Sequence, residues 1–236
     1  MLRISYFVPP APLIEAQERR LLGGVELAEI RTPGSPAQLE GLLAGELDIV
    51  VTAIDNLFEW TRAGADVRLV AQVEATTPLG ILGAPGISTI GELSGRRFAV
   101  DAYANGFALV ARHLLNRADV DVEWVEVGGV KERLDALLAG HVAATLLGPP
   151  FDVRALSAGC SELARVQDEF PAFPGQGLVV RSSLIGTSEL DRFLAALGAS
   201  GLLHVDPAGL DVLTRIRADL GLLPPEPELR ALTFHP

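Results

Sequence analysis

Ser35-Pro-Ala-Gln-Leu-Glu-Gly-Leu-Leu-Ala-Gly-Glu-Leu-Asp-Ile-Val-Val-Thr-Ala-Ile-Asp-Asn56 reads as one helix, one buried strand and a polar loop at the strand's carboxyl end. Ser35 suits a helix cap and Pro36 the first helical position, while Gln38 stands three residues after Ser35, the spacing of a capping box. Leu39, Leu42 and Leu43 recur at helical spacing, and Gly45 is placed to stop the helix. Residues 47–51 are nearly all apolar, the pattern of a parallel strand covered on both faces. Thr52, Asp55 and Asn56 follow at once. In open α/β sheets, ligands bind just past the carboxyl ends of the strands.

The same unit recurs about 95 residues later. Leu134-Asp-Ala-Leu-Leu-Ala-Gly140 matches Leu39-Glu-Gly-Leu-Leu-Ala-Gly45, residues 142–147 form the strand, and Gly148-Pro149-Pro150-Phe151 is the loop at its end. Arg3-Ile-Ser-Tyr-Phe7 parallels Arg97-Phe-Ala-Val-Asp101, and Val25-Glu-Leu-Ala-Glu-Ile30 parallels Val122-Glu-Trp-Val-Glu-Val127. Any βα unit favours Leu on its helix and Val on its strand, so chance similarity is the competing reading. Three segments in one order at a nearly constant offset favour two similar lobes.

Composition narrows the chemistry. A formal charge of -11 with a single lysine, Lys131, argues against a nucleic-acid surface, which needs clustered basic residues. No apolar run approaches the length of a bilayer span. One cysteine, Cys160, excludes an internal disulfide and multi-cysteine metal sites, and the four scattered histidines lack metal-ligand spacing, so neither a metal nor a cofactor is expected. A dinucleotide fingerprint, a Walker loop and a Gly-x-Ser-x-Gly elbow are all missing. Met1 runs straight into strand-like residues 2–7, leaving no room for a signal peptide. If Met1 is the native start, a cytoplasmic location is expected; if a leader has been removed, the expectation is the periplasm or an extracellular lipoprotein.

Along the chain, strands are expected at 2–7, 25–31, 67–74, 79–82, 97–101, 120–127 and 177–182, with helices at 13–22, 106–115, 130–140, 189–197 and 210–220. Thr89-Ile-Gly-Glu92 repeats the capping-box spacing. Ala75-Thr-Thr-Pro78 and Pro171-Ala-Phe-Pro-Gly-Gln-Gly177 punctuate the chain as two crossings between lobes.

These residues resemble the type II periplasmic-binding-protein family, in its nitrate/sulfonate/taurine and thiamine-precursor (NMT1/THI5-like) branch. The likeness rests on the opening strand with its Pro-rich loop, on the 36–49 segment, and on Ile90-Gly-Glu-Leu-Ser-Gly-Arg-Arg-Phe-Ala-Val100 followed later by Leu-Leu-Ala-Gly-His-Val. It covers roughly residues 2–200. The resemblance implies two similar α/β lobes with a ligand cleft between them: lobe 1 from 1–77 plus 177–236, lobe 2 from 78–176, and crossings near 74–78 and 171–177.

The strand-end loops then nominate Phe7, Pro10, Ser35, Thr52, Asp55, Asn56, Thr77, Asp101, Tyr103, Asn105, Gly129, Lys131, Pro149 and Phe151 as ligand-binding residues. Helix amino-termini attract anions, and Ser35 opens one such helix while Gly128-Gly129 opens its counterpart, with Lys131 in the first turn. Asp55, Asn56 and Asp101 offer acceptors for an amine or hydroxyls. Tyr103, Phe107, Phe7 and Phe151 offer aromatic walls. Each has a plainer alternative: Ser-Pro as a routine helix start, Lys131 facing water, the aspartates as caps, Phe107 as core. Trp60, Trp124, His113 and Cys160 are assigned to packing.

Two functions follow. The first is capture of a small anionic or zwitterionic solute, as the substrate-binding component of an ABC-type transporter with a permease as partner. The second is a cytosolic, cofactor-independent lyase on the same scaffold, a dehydratase or decarboxylase acting on a small carboxylic acid, resembling menaquinone-pathway enzymes. Such an enzyme needs one acid or base in a closed site, and Asp55, Asp101 or Tyr103 is the candidate.

Overall fold

The computed structural model describes residues 1–104, 106–222 and 228–234. Two compact units emerge, each an α/β assembly around a five-stranded sheet. The first comprises Met1–Thr76, Pro174–Leu210 and Pro224–Pro236, the second Thr77–Phe173 and Asp211–Leu223.

In unit 1, β1 (Leu2–Tyr6), α1 (Ala11–Glu18), β2 (Leu27–Arg31), α2 (Ser35–Leu43), β3 (Ile49–Thr52), α3 (Asn56–Arg62) and β4 (Val67–Gln72) follow in order. Unit 2 continues with β5 (Gly80–Gly83), β6 (Arg97–Val100), α4 (Ala108–Arg117), β7 (Glu123–Glu126), α5 (Val130–Leu138), β8 (Ala144–Leu147), α6 (Phe151–Ser157), β9 (Ser161–Arg165) and α7 (Val166–Glu169). The chain then returns to unit 1 through β10 (Gly177–Arg181) and α8 (Ser188–Gly198). Helix α9 (Pro207–Asp219) starts in unit 1 and ends in unit 2. Residues 211–223 thus join unit 2, whereas the sequence reading put the whole stretch after 177 in the first lobe.

The sheets share one plan. Unit 1 has the order β2-β1-β3-β10-β4 and unit 2 the order β7-β6-β8-β5-β9. In each, three parallel strands are followed by an antiparallel one, β10 or β5, contributed by chain newly arrived from the other unit. The registers correspond: Ile4 sits opposite Ile49 and Phe98 opposite Ala144. Even the irregularity recurs, with a register shift at Leu178/Val179 in one sheet and at Ile81/Leu82 in the other. Every residue of β3, β5 and β8 is buried, as central strands with helices on both faces require. Edge strands β2 and β7 are partly exposed and carry Glu29, Arg31, Glu123 and Glu126, charges that discourage pairing with another chain.

The repeated Leu-Leu-Ala-Gly works as a helix stop. Gly45 (φ +69°) and Gly140 (φ +71°) take the left-handed conformation that closes α2 and α5. Matching closing bonds run from the Glu46 amide to Gly41 O and from the His141 amide to Ala136 O.

On unit 2, the far part of α9 packs beside α4 and α7. Arg215 lies over the Phe170 ring at 5.1 Å, and Asp219 Oδ2 is 3.6 Å from Nδ1 of His113. His113 is buried, and its Nε2 has no partner. Burial lowers its pKa; Asp219 opposes that shift, and Arg117 and Arg215 add to it. A histidine with a depressed folded pKa stabilises fully above its unfolded value of about 6.5, and that contribution is lost as pH falls through the folded value. Between pH 7 and pH 5, the melting temperature of the His113→Gln variant should therefore fall less steeply than that of the parent protein. Parallel pH profiles would show that His113 does not titrate against folding.

Candidate functional site

In unit 1 the ends of β1, β2 and β3 gather a set of buried polar side chains: Thr32, Ser35, Gln38, Thr52, Asp55 and Asn56. Six polar side chains removed from water at one sheet edge are costly unless they are satisfied or serve a ligand. Local bonds satisfy part of the set. Thr32 Oγ1 donates to Gly34 O at 2.7 Å and accepts from the Gly34 amide at 3.2 Å. Asn56 Nδ2 donates to Thr52 Oγ1 at 2.7 Å. Gln38 Nε2 donates to Ser5 O (3.3 Å) and Val51 O (3.2 Å), tying α2 to both β1 and β3. The acceptors Gln38 Oε1 and Asn56 Oδ1 are buried without a partner.

The capping expectation for Ser35 is corrected here. Gly34 is the cap, in extended conformation, and Ser35 is the first residue of α2. Gln38 does not reach back to the helix start, because its amide is taken by the sheet carbonyls. Thr89 and Glu92 do form the predicted capping box, around a short 3-10 turn at Ile90–Leu93. Phe7 is half-buried, and Pro10 is buried as the cap of α1, both at the same edge as the Thr52 loop.

Unit 2 builds the equivalent edge. Asp101 follows β6, and Gly129 is the buried cap of α5 after β7. Phe151 is buried at the start of α6 after β8, and Pro149 beside it is exposed. Because β5 runs antiparallel to β8, with Gly80 opposite Leu147, Thr77 just before β5 lies at this edge too. Its carbonyl accepts from Gln167 Nε2 at 2.8 Å.

Two nominated side chains serve other ends. Lys131 is 60% exposed and bound to Asp135 Oδ2 at 2.7 Å, one turn along its own helix. Tyr103 is exposed in a surface stack: Arg112 covers its ring at 4.1 Å, Trp124 meets it edge-on at 5.7 Å, and Trp124 packs on Phe98 at 5.0 Å. Trp124 thus has the packing role expected of it. Asn105 lies outside the described residues.

Sequence reasoning passed over one residue at this edge, Arg133. It is buried, its Nη1 donates to Leu146 O at 3.0 Å, and its Nε has no partner. Burial lowers its pKa, an effect that Asp101 and then Glu132 oppose electrostatically. The offset that pairs Leu134 with Leu39 also pairs Arg133 with Gln38, but nothing in the sequence marks either side chain as buried. Among the described residues no group of three or more His, Cys, Asp or Glu is placed to hold a metal ion, and no helix is long and apolar enough to cross a membrane.

Solved structures place this architecture. The ligand-binding component of an ABC-type import system from Staphylococcus aureus, with zinc bound, superposes with a TM-score of 0.78 at 16% identity, covering 99% of this chain and 96% of that one. The alkanesulfonate-binding protein SsuA from Xanthomonas axonopodis pv. citri, bound to MOPS, gives 0.75 at 17% identity over 100% and 98%. PhnD1 from Prochlorococcus marinus, in complex with methylphosphonate, gives 0.65 at 14% identity over 94% and 98%. At such identities the likeness establishes the fold, that of the periplasmic binding proteins. No curated protein sequence matches the chain. The model of the family described as NMT1/THI5 like matches residues 23–200, well over half of the chain, so the chain belongs to the NMT1/THI5-like family.

Proposed function

We propose that this protein binds a small anionic or zwitterionic solute at the carboxyl ends of its parallel strands, as the substrate-binding component of an ABC-type importer. The observation that carries the proposal is the buried polar edge of unit 1, where Asn56 Oδ1 and Gln38 Oε1 stand desolvated and unpartnered beside Thr52 and Asp55. A fold gains nothing in stability from such acceptors, whereas a solute with N–H or O–H donors would satisfy them. The structural neighbours that bind sulfonate and phosphonate ligands support the same class of solute. An importer as partner would place the protein outside the cytoplasmic membrane.

The test is a thermal-shift and calorimetric screen of taurine, alkanesulfonates, methylphosphonate, nitrate and thiamine precursors, with mass spectrometry of each stabilising compound after incubation. At least one solute should raise the melting temperature and be recovered intact. Asn56→Leu should weaken a bound solute that carries an N–H or O–H donor, such as taurine, by tenfold or more, the penalty for losing a hydrogen bond in a desolvated site being about 1.4 kcal/mol or above. A screen without any stabilising solute, or an Asn56→Leu variant that binds as the parent does, would overturn the assignment. Recovery of a transformed solute would transfer it to the catalytic alternative, with Asp55, Asp101 and Tyr103 as the first residues to replace.

A further inference from the structure

Arg133 and Gln38 occupy the same position in the two halves of the repeat. Each is the fourth residue of its helix, α5 or α2, and each reaches down to the sheet beneath. Gln38 Nε2 donates to Val51 O at 3.2 Å, and Arg133 Nη1 donates to Leu146 O at 3.0 Å. Val51 and Leu146 are themselves equivalent, each the third residue of β3 or β8. The structural task at this position is thus a side-chain bond from the first helical turn to a strand carbonyl, and unit 1 performs it with a neutral amide.

A guanidinium in that position is not needed for the bond. It carries a full charge into a place that is 92% buried, since Arg133 is only 8% exposed. Removing an ion from water costs several kcal/mol unless other charges and hydrogen bonds compensate. Nε, facing no acceptor, shows that compensation from the protein is incomplete. The carboxylate of Asp101, at the end of β6, acts on this charge, as does the exposed Glu132. Lys131 in the same helical turn points to solvent and is held by Asp135, so it does not duplicate the role. Arginine's planar fork of donors matches the oxygens of sulfonate, phosphonate and carboxylate groups.

We infer that Arg133 is the anion-reading residue of unit 2, its guanidinium receiving the oxyanion group of the bound solute at the ends of β6 and β8. The inference rests on the solute-binding reading above and adds the residue and the chemical group it selects.

Arg133→Gln is the direct test, and the protein supplies its own precedent, because glutamine already makes the equivalent bond at position 38. The probes are ethanesulfonate and methylphosphonate, with dimethyl sulfone as an uncharged control, measured by calorimetry. Hydrogen bonds to charged groups contribute about 1.5–3 kcal/mol, so Arg133→Gln should weaken the anions by about 10- to 150-fold. Its melting temperature should stay close to that of the parent, and Arg133→Lys should recover part of the affinity. An Arg133→Gln variant that binds both anions within threefold of the parent overturns the inference and leaves the solute-binding reading standing. A parent protein that binds neutral solutes but neither anion overturns the inference and the anionic or zwitterionic class with it, leaving solute binding of another class. A parent that binds nothing in the wider screen overturns both. Should Arg133→Gln fail to fold, the Nε–H resonance of Arg133 in the parent decides: a shift on adding ethanesulfonate supports the inference, and no shift at saturation overturns it.

Discussion

Replacing Asp48 by alanine is expected to destabilise unit 1 by about 3–5 kcal/mol, the usual loss when one partner of a buried ionic network is removed. Asp48 precedes β3, the middle strand of its sheet, and is 4% exposed. Its Oδ2 accepts from the Arg3 amide at 3.0 Å and from Arg3 Nε at 2.8 Å, and its Oδ1 accepts from Arg3 Nη2 at 2.9 Å and from Arg181. One carboxylate therefore fastens β1 and β10 to the strand between them. Without it, two guanidinium groups, each about 30% exposed, lose the carboxylate they share, and a backbone amide loses its acceptor. Denaturant unfolding followed by hydrogen exchange of β1, β3 and β10 amides would measure the loss. Retention of their protection in Asp48→Ala would refute the assignment.

The acid behaviour follows from the same group. Burial pushes the Asp48 carboxyl up, but the bonds from Arg3 and Arg181 outweigh it and hold the pKa at about 2, against an ordinary 3.8. A depressed carboxylate stabilises fully above the unfolded value, and the contribution is lost as pH falls through the folded one. Between about pH 4 and pH 2 the parent should thus lose about 2 kcal/mol that Asp48→Asn no longer has to lose.

Gly175→Ala should be nearly as damaging. A β-carbon there would stand 2.1 Å from Glu74 O and 2.5 Å from Glu74 Cγ, and a backbone oxygen cannot step aside as a side chain can. At this point two passages of chain lie side by side, with the Val73 amide bonded to Gln176 O and the Gly175 amide to Ala75 O. Relieving the overlap requires these bonds to part, at a cost of about 3 kcal/mol or more. Gly198→Ala is the matched control: it ends α8, meets nothing within 4 Å, and should be neutral or stabilising by up to about 1 kcal/mol. Equal melting temperatures for the two variants would contradict the steric argument.

What could be read from sequence was whatever local pattern decides. The Leu-Leu-Ala-Gly stops and the apolar run before Thr52 are nearest-neighbour signals, and the structure contains each element. Strand β9 was missed because Ser-Glu-Leu-Ala-Arg carries little strand preference; pairing with β5 on one side makes it a strand. Likewise Arg133, in the run Lys131-Glu-Arg-Leu134, looks like any solvent-facing arginine, and only packing under α5 reveals its burial. Lys131 was nominated for its charge and position, yet the helix offers it Asp135 one turn away. Ser35 failed as a cap because Gly34 precedes it in extended conformation, moving the helix start back by one residue.

The exchange of antiparallel strands dictates an order of assembly during translation. β5 to β9 are consecutive in the chain, so the second sheet has all its strands once residue 165 has emerged from the ribosome. The first sheet is still incomplete then, because β10 must slot between β3 and β4. The amino-terminal half is therefore born first and finished last, and until residue 181 appears its most apolar strand, β3, waits with one side open to misplaced partners.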